Sequence, residues 1–132
     1  MRRRDHQRRQ ADVTVEFDHD PAAPRIARRA IRPLISDRDD PIAQAVEAVT
    51  SELVSNVVEH TIDGGTVRAW DPKPNKPFHL EVADHDPREP VSPTDPNDAG
   101  GRGLRIVSAL SDDWGVEHDN DGKTVWADFN RP

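Results

Sequence analysis

The stretch "VTSELVSNVVEH", residues 49–60, reads as helix and places Glu52, Asn56 and His60 four residues apart. Four residues advance a helix by about 400°, so the three polar groups form one slowly drifting row. The apolar row Ile42, Val46, Val49, Leu53 and Val57 also has helical spacing and is expected to face a core. At about 100° per residue, the centres of the two rows lie only roughly 60° apart. A carboxylate, a carboxamide and an imidazole therefore border the core, where polar side chains held only by solvent are not expected.

Working outward, Asp40 as N-cap and Pro41 at the first helical position predict a helix from about 41 to 61, stopped by "DGG" (63–65). Upstream, "VTVEF" (13–17) alternates and is rich in β-branched residues, the pattern of a strand. "AAPRIARRAIRPLIS" (22–36) has helical spacing, and Pro33 is placed to kink or end it. Downstream, "TVRAW" (66–70) and "FHLEVAD" (78–84) are expected strands joined by the proline-rich "DPKPNKP". Residues 85–102 carry four prolines, several acids and no periodicity, which predicts a long irregular loop of the kind used as a lid. "GLRIVSALSDD" (103–113) is an expected helix; "WGVEH" (114–118) and "KTVWADF" (123–129) are expected strands around the turn signal "DNDG". The order β-α-α-β-β-loop-α-β-β predicts an α+β two-layer sandwich, with helices covering one face of a mostly antiparallel sheet.

Composition narrows the function. The chain has 132 residues, the length of one domain. Its net charge is −7, but residues 1–10 hold five arginines and one acid, a local +4 that leaves −11 on the rest. Residues 1–12 are thus expected to be a disordered basic arm, and residues 13–132 the folded domain. An acidic body argues against direct nucleic-acid binding. Without cysteine there is no disulfide, thiolate zinc site or thiol nucleophile. No apolar run approaches the roughly 20 residues that span a bilayer, and a signal-peptide core is absent, so a soluble cytoplasmic protein without membrane contact is expected.

Four segments can carry chemistry: the Glu52/Asn56 helix, "VAD" (82–84), "GGRGL" (100–104) and "GKTVW" (122–126). Each alone has a plain structural reading, as a solvated helix face, a turn residue, loop punctuation or an ordinary strand. Together they meet the needs of a nucleoside triphosphate. Asn56 offers a hard oxygen ligand for a divalent cation. Gly100, Gly101 and Gly103 let a helix N-terminus approach phosphates closely. Asp84 can accept a hydrogen bond from an adenine amino group, and Glu52, one turn before Asn56, can take a proton from an attacking hydroxyl.

These segments resemble the GHKL (Bergerat-fold) ATP-binding proteins, and specifically the small stand-alone bacterial anti-sigma-factor serine kinases. The N-box is seen in "ELVSNVVEH", the aspartate motif in "VADHDPREP", the lid-closing glycines in "GGRGL" and the final strand in "GKTVW", over roughly residues 13–129. The resemblance implies ATP and Mg²⁺ as cofactors and a long ATP lid. It implies Glu52 as general base, Asn56 as Mg²⁺ ligand and Asp84 as the adenine-binding aspartate. Thr124 would support adenine through water, with His60, Gly101, Arg102, Gly103 and Leu104 completing the nucleotide site. It further implies an anti-sigma factor that phosphorylates a serine on an anti-anti-sigma (STAS) antagonist, with a sigma factor as second partner, and it admits a homodimer. The rival reading is a non-enzymatic switch in which ATP sets partner affinity. The chain departs from the family pattern in three places. Asp86 and Arg88 stand where many members have glycines, and Asp98 and Ala99 stand where serine kinases of this type carry an arginine that helps the γ-phosphate; Arg102 lies between the glycines. The ATPase half of a two-component histidine kinase fits less well, because no dimerisation helix or phospho-accepting histidine region is seen.

Overall fold

The structure is a computed structural model that describes residues 10–37, 39–72, 76–86, 99–119 and 122–131, and omits the side chains of residues 99–103. In chain order the elements are β1 (Val13–Phe17), α1 (Ala23–Ile31), a 3₁₀ turn (Arg32–Leu34), α2 (Ala43–His60), β2 (Gly65–Trp70), β3 (Phe78–Asp84), α3 (Ala99–Leu110), β4 (Asp113–Asp119) and β5 (Gly122–Phe129). The five strands form one sheet in the order β1-β2-β3-β5-β4, with every neighbouring pair antiparallel. Together with three α-helices this is the α+β sandwich that the pattern predicts.

The layers follow from strand alternation. Phe78, Leu80 and Val82 of β3 and Val125, Ala127 and Phe129 of β5 are buried in one cluster with Ala27 and Ile31 of α1, Val46, Val49, Leu53, Val54 and Val57 of α2, and Val107 of α3. The register aligns this inner face strand by strand, with Val67 opposite Val82 and Val82 opposite Val125. All three helices therefore pack on the same side. Leu53, 2% exposed at the centre, would cost about 2–5 kcal/mol if cut to alanine, because the surrounding atoms cannot fully collapse into the space.

Local chemistry sets the ends. Pro33 forces α1 to tighten into the 3₁₀ turn instead of continuing. α2 begins at Ala43, two residues after the position that Pro41 suggests, and its N-cap is Ile42, not Asp40. The physical reason lies in Asp40 itself. Its Oδ1 accepts the Ile42 N–H at 3.2 Å, but its carboxylate is also held by Arg131, whose Nη2 donates to Oδ2 at 2.9 Å. At the other end Thr61 is extended and closes α2 by donating from N and Oγ1 to the Val57 carbonyl. Gly64 follows at φ +69°, and a Cβ there would lie 2.2 Å from the Phe17 carbonyl oxygen, so only glycine makes this turn. α3 begins at Ala99 and ends at Leu110, earlier at both ends than the apolar spacing of residues 103–113 indicates.

Candidate functional site

Asp84 ends β3 beside Gly122, at the start of β5. Its carboxylate is 8% exposed and its Oδ1 accepts two backbone N–H groups, from Lys123 at 3.0 Å and from Asp86 at 3.3 Å. Among the described residues Oδ2 accepts no hydrogen bond, although a buried carboxylate oxygen without a partner is costly. Gly122 makes the approach possible. Its φ is +150°, and a Cβ there would meet Asp84 O at 2.4 Å and Oδ1 at 2.6 Å. Gly65, opposite Asp84 across β2–β3, packs against the Phe17 ring, which a Cβ would meet at 2.8 Å. One oxygen is locked by backbone and the other is offered to whatever fills the sheet end.

α2 supplies the second wall. α1 lies against one flank of it, where Arg28 Nη1 donates to Ser51 Oγ at 2.7 Å and Arg32 Nε donates to Glu47 Oε1 at 2.9 Å. On the helical wheel Glu52 and Asn56 lie roughly 140–180° from Glu47, on the opposite flank. Both are half-buried, and among the described residues neither side chain has a hydrogen-bond partner. His60, the last residue of α2, is exposed. α3 packs against α2, and its first turn contains Gly100 and Gly101. The first four N–H groups of any helix have no intrahelical acceptor, so this end can receive an anion. The side chain of Arg102 lies outside the described residues, as does most of the expected lid, residues 87–98. Leu104 is half-buried and packs against the hydrophobic core.

Thr124 does not share a face with Asp84. Alternation along β5 puts Val125 and Ala127 inward, so Thr124 points to the outer side of the sheet, paired with Ala83, and is 6% exposed. Lys123, whose N–H holds Asp84, takes the inner side instead. A one-residue offset thus puts Thr124, expected to support adenine through water, on the other face of the sheet from Asp84.

The outer side holds a polar cluster that pattern reading does not single out. His79 Nδ1 lies 2.5 Å from Asp128 Oδ1, and its Nε2 lies 2.8 Å from Glu81 Oε2. His79 and Asp128 are 0% exposed and Glu81 is 4%. Burial lowers the affinity of His79 for its second proton, but the hydrogen bonds it donates to Asp128 and Glu81, with the charges of those carboxylates, outweigh it, and its pKa is raised above 6.5. The signal was present in "FHLEVAD" and "KTVWADF", each of which sets ionisable residues opposite its apolar face.

The locked Asp84 carboxylate, the Glu52/Asn56 flank of α2 and the N-terminus of α3 are the elements of the candidate site in this α+β domain. Over residues 6–129 the chain matches the histidine kinase-like ATPase domain family, and it belongs to that family. It is similar in fold to the histidine kinase domain of the Erythrobacter litoralis EL346 blue-light activated histidine kinase, with TM-score 0.51 and 19% identity, over 92% of this chain and 69% of that one. It is also similar to the Acinetobacter baumannii histidine kinase AdeS, with TM-score 0.52 and 13% identity, over 96% of this chain and 71% of that one. No curated protein matches it. Among the described residues no helix is long and apolar enough to cross a membrane.

Proposed function

We propose that the chain binds Mg·ATP between α2 and the Asp84 end of the sheet and acts as a protein serine kinase and anti-sigma factor. The observation that carries the nucleotide reading is the Asp84 carboxylate, with Oδ1 fixed by two backbone N–H groups and Oδ2 left to accept an exocyclic amino group. Adenine offers such an amino group. Asn56 supplies a neutral oxygen for Mg²⁺, which neutralises phosphate charge when bound. Glu52, one turn away, takes the proton of an incoming serine hydroxyl. The first-turn N–H groups of α3 receive phosphate oxygens. The half-buried Glu52 and Asn56 side chains support the reading, since unpaired polar groups at a core margin are costly unless they have a ligand to serve.

The serine-kinase and anti-sigma parts rest on the likeness of "ELVSNVVEH", "VADHDPREP" and "GGRGL" to that group of proteins. A sigma factor and a STAS-type antagonist are the partners this reading names. One sequence feature favours the second reading, a non-enzymatic switch: Asp98 and Ala99 offer no cation just before the glycines. Labelled ATP, incubated with the chain and a co-purifying STAS protein, separates the two. Transfer of label to a serine supports the kinase; ATP-dependent change of partner affinity without transfer supports the switch.

A further inference from the structure

Lys123 stands beside the Asp84 carboxylate on the same face of the sheet. The β3–β5 ladder pairs Val82 with Val125 and Ala83 with Thr124, so the next positions in register are Asp84 and Lys123. Val82 and Val125 lie in the core, and Asp84 and Lys123, two residues away on each strand, share their inner face. Gly122 lets β5 begin this close, since a Cβ there would meet the Asp84 carbonyl oxygen at 2.4 Å. Lys123 has two kinds of donor to give. Its backbone N–H holds Asp84 Oδ1 at 3.0 Å. Its side chain is half-buried, and among the described residues its ammonium has no hydrogen-bond or ion-pair partner. The residue opposite it on β4 is His118, an exposed imidazole that brings no carboxylate to the ammonium. An ammonium carries three donors and no acceptor, and taking it part-way out of water without an acceptor is unfavourable. The position beside Asp84 that Thr124 was expected to serve therefore belongs to a cation on a long, flexible stem.

On the reading that Asp84 receives the adenine amino group, we propose that Lys123 binds the base directly, its ammonium donating to the ring nitrogen beside that amino group. Directly opposite residues of an antiparallel pair have Cβ atoms about 5 Å apart. Asp84 Oδ2 and Lys123 Nζ thus offer an acceptor and a donor side by side. Adenine offers the complement: its exocyclic N–H donor is flanked by a ring acceptor on each side, N1 and N7. A lysine donor makes this bond charge-assisted and without an intervening water. Lys123 is then a specificity-determining residue. A base that keeps the amino group but lacks the ring nitrogen leaves the ammonium unpaired, which adds to the loss of the contact itself.

The test is titration calorimetry of the full chain and of Lys123→Met, in the presence of Mg²⁺, with ATP, 1-deaza-ATP and 7-deaza-ATP. Each analogue keeps the amino group and the triphosphate and replaces one ring nitrogen with C–H. The unaltered chain is expected to bind one of the two analogues roughly 10- to 100-fold more weakly than ATP, the range of a hydrogen bond to a charged group. Lys123→Met keeps an apolar stem without the charge, and it is expected to bind ATP more weakly and to lose that discrimination. Equal affinity of the unaltered chain for all three nucleotides overturns the proposal, and this arm decides alone if the variant does not fold. A folded variant that still discriminates against the analogue also overturns it, because the ammonium then serves the phosphates or no part of the nucleotide. If the unaltered chain binds no ATP at all, the nucleotide reading falls and Lys123 with it. ATP binding with either overturning result removes Lys123 alone and leaves Asp84 in place.

Discussion

Replacing Asp84 with Asn tests the base of the pocket, because the backbone dictates how the new side chain must sit. Oδ1 is held by the N–H groups of Lys123 and Asp86. In the Asn variant the carboxamide oxygen keeps both bonds, and its NH₂ is forced to the place of Oδ2. There it meets an adenine amino group, donor against donor. One charge-assisted hydrogen bond is lost, about 1.5–3 kcal/mol, and a buried donor is left unsatisfied, about 1–3 kcal/mol. At 8% exposure, water offers little rescue. The combined loss of about 3 kcal/mol or more predicts ATP binding at least about 100-fold weaker, at 1.4 kcal/mol per tenfold. GTP has an acceptor oxygen where ATP has the amino group, so the preference for ATP should shrink in parallel. Titration calorimetry with both nucleotides measures this directly. Unchanged ATP affinity in a folded variant would refute the assignment of Asp84 to the base.

Three further outcomes are expected. Glu52→Gln should leave nucleotide binding intact while phosphotransfer falls by roughly 10² to 10⁴, whereas Asn56→Ala should weaken the Mg²⁺-dependent part of ATP affinity; calorimetry with and without Mg²⁺, beside a labelled-ATP assay, separates them. Arg131→Ala should destabilise the fold by about 3–5 kcal/mol in urea titration, because it strips the guanidinium from Asp40 and Asp71, whose side chains are 6% and 4% exposed. The raised pKa of His79 means that the folded state binds its proton more tightly than the unfolded one, so this stabilisation is complete below about pH 6.5 and is lost as pH rises through the folded value. Thermal melts of His79→Gln should show a flatter pH dependence above that point, and identical slopes in both proteins would show that His79 does not titrate with folding.

The helix α2 was legible because 18 residues of consistent apolar spacing leave only one face for the core. The strands were legible for the same reason at period two, and β3 matches residue for residue. Ends were harder. Asp40 and Pro41 carry strong start signals, but a cap competes with other uses of a carboxylate, and Arg131, 91 positions away, takes part of it. The glycines of α3 read as loop because isolated glycine disfavours helix, yet the helix already contains them. Thr124 shows how narrow the margin is in a strand, where one residue decides the face. The His79 cluster escaped because ionisable residues alternating with apolar ones read as a wetted surface, and only the folded sheet shows them buried.

The strand order has a consequence for how the molecule is made. β5, the last strand in the chain, sits inside the sheet between β3 and β4. Until it arrives, β3 is an edge with its hydrogen-bonding groups open, and β3 carries Asp84. A growing chain therefore holds a nascent sheet whose inner edge is ready to pair with other strands, a hazard that persists through the synthesis of α3 and β4. The pairing that closes it joins residues about forty positions apart, as Val82 to Val125, so it is a late and slow step. The same step delivers the Lys123 N–H to Asp84, which means nucleotide cannot assist folding before the sheet is complete. ATP should then slow unfolding of the finished protein far more than it speeds its formation.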